Sequence, residues 1–112
     1  MNTTHIGGSA EQVVALWLQS QGYAIIDQNW KTKRCEIDIV AKKQSIMYFV
    51  EVRHRTSDTW GDGLATISYK KQQQVRFAAN IWMHNMSWTG DARILFVATT
   101  GSPPAITAVI EQ

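Results

Sequence analysis

Two short stretches of this sequence set acids and a base among β-prone residues. Cys35-Glu36-Ile37-Asp38-Ile39-Val40-Ala41 is followed by Met47-Tyr48-Phe49-Val50-Glu51-Val52-Arg53. Each reads as a strand, and Lys42 to Ser45 reads as the tight polar loop joining them. Side chains alternate along a strand, so an even-numbered loop puts Asp38 and Glu51 on one sheet face. Ile37, Ile39, Tyr48, Val50 and Val52 then form an apolar surface on the other face. Glu11, in the first turn of a predicted helix, is a third acid. Hard cations such as Mg²⁺ or Mn²⁺ take oxygen ligands, often one or two carboxylates completed by water and phosphate. A cation held in this way polarises a phosphodiester and acidifies a bound water. Arg53 points to the same side as Glu51, where a guanidinium would stabilise charge developing on phosphate. The same spacing also describes ordinary cross-strand charge pairing, with Glu51 against a nearby Lys or Arg. Such pairing is worth about 1 kcal/mol or less. On spacing alone, that plainer account is the better one.

The elements that must position these residues are legible. Ser9 followed by Gln12 is a capping-box pattern. Ala10, Val13, Val14, Trp17 and Leu18 recur at helical spacing, and Gly22 supplies a left-handed stop. A helix is therefore expected from about Ala10 to Gln21, preceded by a loose arm over residues 1–8. Tyr23 to Ile26 opens a short strand running to Asn29. Thr56 to Leu64 reads as a loop punctuated by Gly61 and Gly63. Ser68 caps a second helix reaching about Asn85, with Val75, Ala78, Ala79, Trp82 and Met86 as its buried stripe. Trp88 to Asp91 is a turn, Ala92 to Thr99 a strand, Gly101 to Pro104 a turn and Ala105 to Ile110 a final strand. The order α-β-β-β-α-β-β predicts an α/β fold: a central mixed sheet flanked by helices.

The chain has 112 residues, which suits one domain. Hydrophobic residues make up 45% and charged residues 18%, a globular rather than a disordered composition. The formal net charge of +2 permits a nucleic-acid partner without demanding one. One cysteine, Cys35, excludes an internal disulfide framework. No secretory leader is visible in the short polar start, and no apolar run approaches a membrane span. The cytoplasm is the expected compartment.

Taken together and in order, the motifs resemble a known family. Asp38 and Glu51-Val52-Arg53 match the strand acids of the PD-(D/E)xK nuclease superfamily, and Glu11 matches the helix acid of its archaeal-resolvase branch. The resemblance is closer to the YraN-type, Holliday-junction-resolvase-like family. It is carried by Gly7-Gly8-Ser9-Ala10-Glu11, Gly22-Tyr23-Ala24-Ile25, Asn29 and Cys35 through Ala41. Phe49 through Arg55, Trp60-Gly61 and Lys71-Gln72 continue it, so that it covers about residues 7 to 98. Three positions depart from the pattern. Cys35 replaces a glycine, Arg53 stands where active nucleases carry lysine, and Leu95 replaces an acid. Arginine supplies charge but stays protonated, so it is no general base.

The resemblance implies a restriction-endonuclease-like core and a metal-dependent endonuclease acting on DNA, branched or junction DNA included. In it Glu11, Asp38 and Glu51 bind Mg²⁺ or Mn²⁺. Asp38, Glu51 and Arg53 are catalytic, while Arg55, Lys71 and Gln72 contact nucleic acid. Resolvases on this fold act as dimers, which implies a homodimer, although no dimer seam is visible in the sequence. The alternative is a nucleic-acid-binding module on the same fold with little or no cleavage. A protein-interaction domain, in which the acids only pair with neighbours, is a third possibility. His5, His54 and His84 lack zinc-ligand spacing, and His54 is expected at the surface. Cys35 is expected to be a small, partly buried side chain rather than a nucleophile. Trp60 is expected to pack, with base stacking as the other option.

Overall fold

The computed structural model describes residues 6–55 and 67–112, with side chains from residue 10 onward. The loop expected from Thr56 to Leu64, with Trp60 and Gly61, lies outside the described residues, as does His5. Two helices and five strands follow the expected order: α1 (Ile6–Ser20), β1 (Ala24–Lys31), β2 (Glu36–Lys43), β3 (Ile46–Arg55), α2 (Tyr69–Asn85), β4 (Asp91–Thr100) and β5 (Ala105–Glu111). The strands form one sheet in the order β1-β2-β3-β4-β5. β3 and β4 are parallel and joined across α2, whereas the other neighbours are antiparallel. A parallel pair needs a crossover, and α2 supplies it. Among the described residues no helix is long and apolar enough to cross a membrane.

Both faces of the sheet are covered. Val14, Ala15 and Leu18 of α1 pack on Ile39, Ala41, Val50, Leu95 and Val97. On the opposite face, α2 lays Val75, Ala78, Ala79 and Trp82 onto Val40, Met47, Phe49, Ile94 and Phe96. The strands are apolar on both sides because a helix dries each face. The single apolar face expected from alternation is therefore only half of the core. Leu95, at the position where the family pattern carries an acid, is buried under α1.

Local signals explain most of the boundaries. Gly22 has φ 95°. The Tyr23 N–H donates to the Leu18 carbonyl at 3.0 Å and the Gly22 N–H to the Gln19 carbonyl at 3.1 Å, closing α1 with the paired bonds of a left-handed cap. Ser68 caps α2, its hydroxyl accepting the Lys71 N–H at 3.0 Å. Two expectations fail. The first helix begins at Ile6, so Ser9 lies inside it and residues 6–8 are not an arm. Gly7 and Gly8 cost roughly 1 kcal/mol each in a helix, yet both lie within α1. Met86 is 49% exposed rather than buried, because α2 ends at Asn85 and the next residue leaves the helical stripe.

Candidate functional site

The site lies where two paired strands separate. β2 and β3 keep one register from Lys43–Ile46 to Ile39–Val50, and there the ladder stops. Continued, that register would set Ile37 opposite Val52. Instead the Asp38 carboxylate takes the place of a backbone acceptor, its Oδ2 receiving the Val52 N–H at 2.8 Å. The strand also rotates at this point. Ile37 packs under α2 and Ile39 under α1, two residues apart on opposite faces. Unbroken alternation would have kept them together. The fork is therefore made by Asp38, which satisfies a backbone donor that the departing strand no longer serves.

Three further acids face this fork. Glu11 reaches it from α1, with its carboxyl in side-chain hydrogen-bonding range of both Asp38 and Asn29. Glu51 reaches it from β3, and Glu36 lies close enough for its charge to act on all three. A cavity of about 150 Å³ is bounded by Glu11, Asn29, Lys31, Glu36 and Asp38. Asn29 adopts φ 52°. Asparagine tolerates this left-handed backbone better than most residues, and here the conformation coincides with its contact to Glu11.

The electrostatics are those of crowded carboxylates. Burial pushes the Asp38 carboxyl up to about 6; the Val52 N–H pulls it down, Glu11 and Glu36 push it further up, and Lys71 lowers it again. Burial is also the main cause of the rise at Glu51, followed by the charge of Asp38, with Lys71 opposing both. Glu11 is raised by burial first and then by Glu36 and Glu51, while its hydrogen bonds to Asp38 and Asn29 work the other way. All three acids are thus harder to ionise than usual, first because burial strips water from the charged form and then because neighbouring acids repel it.

The cation that touches these acids comes from α2. Lys71 Nζ lies 2.8 Å from Glu51 Oε2, with the side chains 35% and 14% exposed. Arg53 follows Glu51 by two along β3 and is half-buried, but it borders neither the 150 Å³ cavity nor the larger one beside Lys71. Arg55 is exposed at the end of β3, and Gln72 is half-buried next to Lys71, bordering neither cavity. His54 is not a surface residue. Its Nδ1 lies 2.8 Å from the buried Thr99 hydroxyl, and its Nε2 is buried without a partner among the described residues. Cys35 is half-buried and free, as expected.

The donor set suits a hard divalent cation: oxygen ligands only, with surplus negative charge. Among the described residues, however, no three of these side chains already close around a single point. The chemistry therefore fits a cation held by one or two carboxylates, with water and phosphate supplying the rest, which is the usual mode for Mg²⁺. Sequence reasoning missed Asn29 and Glu36 as members of the site. Asn29 had a signal, since it stands among the motif residues that carry the family resemblance. Glu36 had none beyond its proximity to Asp38.

A family model described as uncharacterised protein family UPF0102 matches residues 10–99. A UPF0102 protein of Hahella chejuensis is 38% identical over 84 residues, covering 75% of this chain and 68% of the relative. One of Pseudomonas syringae pv. syringae is 34% identical over 99 residues, covering 87% and 80%. One of Natranaerobius thermophilus is 36% identical over 97 residues, covering 86% and 82%.

Proposed function

Because the chain belongs to the uncharacterised family UPF0102, whose members carry no assigned activity to borrow, we propose from the acid fork that it is a metal-dependent nuclease hydrolysing phosphodiesters in DNA. The observation that carries this reading is the meeting of Glu11, Asp38 and Glu51, from one helix and two separating strands, with their carboxyls raised and Lys71 in contact. Burying like charges is costly unless a cation is to join them. Asp38 and Glu51 would hold a divalent cation, with Glu11 alongside. When bound, it would polarise the phosphodiester and acidify a water.

The chain's own residues divide the remaining work. The Val52 N–H fixes Asp38 Oδ2, which pre-sets the carboxylate without a rotamer search. Lys71 opposes the rise at Glu51 and would bring an ammonium to the position where phosphate charge develops. Arg53 and the exposed Arg55, further along β3, would attract the DNA backbone by charge alone. Ionised carboxylates are the working form. Activity should therefore rise with pH through the Asp38 value of about 6.

A nucleic-acid-binding module without cleavage is the second reading, and Arg53, where active nucleases carry lysine, favours it. One experiment separates the two. Under the nuclease reading Mg²⁺ or Mn²⁺ raises the melting temperature and Asp38→Ala abolishes the rise. Wild type also cuts a labelled four-way junction, and Glu51→Ala does not. If both proteins leave DNA intact while binding it with a steep salt dependence, the nuclease reading is lost to the second.

A further inference from the structure

A second, larger cavity of about 490 Å³ adjoins the acid fork: Glu36 lines both it and the 150 Å³ cavity, and Glu51 lines the larger one alone. Its walls come from α2 and from the connection between β1 and β2. Lys70, Lys71, Gln73, Gln74 and Phe77 line it on the helix side, and Arg34 lines it on the other. Phe77 is 41% exposed, although it lies only two residues past the buried Val75. The Arg34 guanidinium sits 5.7 Å from the centre of the Phe77 ring.

Arg34 is held by an ordered turn. The Thr32 hydroxyl accepts the Arg34 N–H at 3.0 Å and the Cys35 N–H at 3.2 Å. The Thr32 N–H closes the turn on the Cys35 carbonyl at 2.8 Å. The backbone that carries Arg34 is thereby set before a ligand arrives.

We propose that this groove holds one unpaired nucleotide of a DNA strand running away from the acid fork, with its base against Phe77 and Arg34 and its phosphate on Lys70. The proposal deepens the nuclease reading and rests on it. A volume of this order suits a ligand of nucleotide size. An aromatic face beside a guanidinium is a stacking platform for any base, and flanking cations follow the backbone. The Gln73 and Gln74 amides present both donors and acceptors, as base edges require. A base within continuous duplex is stacked on its neighbours and cannot reach such a platform. The groove therefore selects single-stranded or branched DNA, in which a base is already free.

Binding without cleavage tests this independently of the nuclease reading. Fluorescence anisotropy is measured in EDTA with a short labelled thymidine oligonucleotide and with a duplex of equal length. Wild type is expected to bind the single strand more tightly. Phe77→Ala should weaken single-strand binding by roughly five- to a hundredfold, leave duplex binding within about twofold, and be rescued by Phe77→Trp. If wild type prefers duplex, or if Phe77→Ala weakens both substrates equally, the groove is not a base platform. Should Phe77→Ala melt below the assay temperature, Arg34→Gln with Lys70→Gln replaces it; unchanged single-strand affinity in that variant overturns the proposal. Loss of cleavage in wild type with this binding pattern intact would remove only the nuclease reading.

Discussion

The two ends of the β2–β3 hairpin are built on different terms. At the turn end the ladder is closed, from Lys43–Ile46 through Val40–Phe49. Met47 and Phe49 are buried under α2, with Phe49 edge-on to Trp82 at 5.5 Å between ring centres. At the open end the ladder stops, a carboxylate replaces a backbone acceptor, and four acids crowd the gap. One end gains stability from burial and the other gives some of it up. The open end is thus where local rules are broken, as a proposed site would require.

The comparison can be broken most severely at the closed end. Phe49→Ala should cost about 3–5 kcal/mol, read as a shift in the denaturation midpoint. A loss below about 1 kcal/mol would mean that the turn end is not the stabilising half. At the open end, Glu51→Gln should lower cleavage by roughly a hundredfold or more, with much less effect on melting than Phe49→Ala. Single-turnover kinetics beside a thermal melt would show both.

Asp38→Asn sharpens the contrast, because it should stabilise. The native carboxyl holds its proton up to about 6, whereas the unfolded group releases it near 3.8. Between those values the native state binds more protons, so wild-type stability falls as pH rises through the window and stays lower above it. In metal-free buffer at neutral pH the asparagine variant should be more stable by about 1–2 kcal/mol. The gap should close as pH drops below the unfolded value. A variant equally stable at both pH values would show that the fork carries no charge penalty.

Lys71→Met removes the cation that lowers the values of Asp38 and Glu51. Its cleavage profile should move to higher pH relative to wild type, and an unmoved profile would disconnect Lys71 from the acids. The smallest effect expected is from Ser68→Ala, which removes the α2 cap and should cost about 1 kcal/mol of stability. The same change should also loosen the turn that presents Lys71.

Much of this was legible before any coordinates. Periodicity located α2 and its buried Val75, Ala78, Ala79 and Trp82, because an amphipathic stripe survives whatever it packs against. Gly22 and Ser68 marked ends correctly because caps are local chemistry. Glu11, Asp38 and Glu51 were singled out by the family resemblance rather than by spacing, and in the structure they lie near enough to act on one another's charge. Met86 was misread because α2 ends one residue before it, and the start of α1 because Gly7 and Gly8 are poor helix formers that nevertheless lie inside the helix.

Element order and family were already written in the sequence, since each lies in short-range pattern and residue type. Tertiary structure alone decided that β2 rotates at Asp38, sending Ile37 and Ile39 to opposite faces. It alone brought Lys71, twenty residues past Glu51 in the chain, to 2.8 Å from that carboxylate. It also drew Asn29 and Glu36 to the fork and opened a groove between Arg34 and Phe77. Alternation rules assume an unbroken ladder, and here the ladder ends where a side chain takes over a backbone hydrogen bond. Contacts made across such a break depend on how the strand turns in space, which residue spacing does not encode.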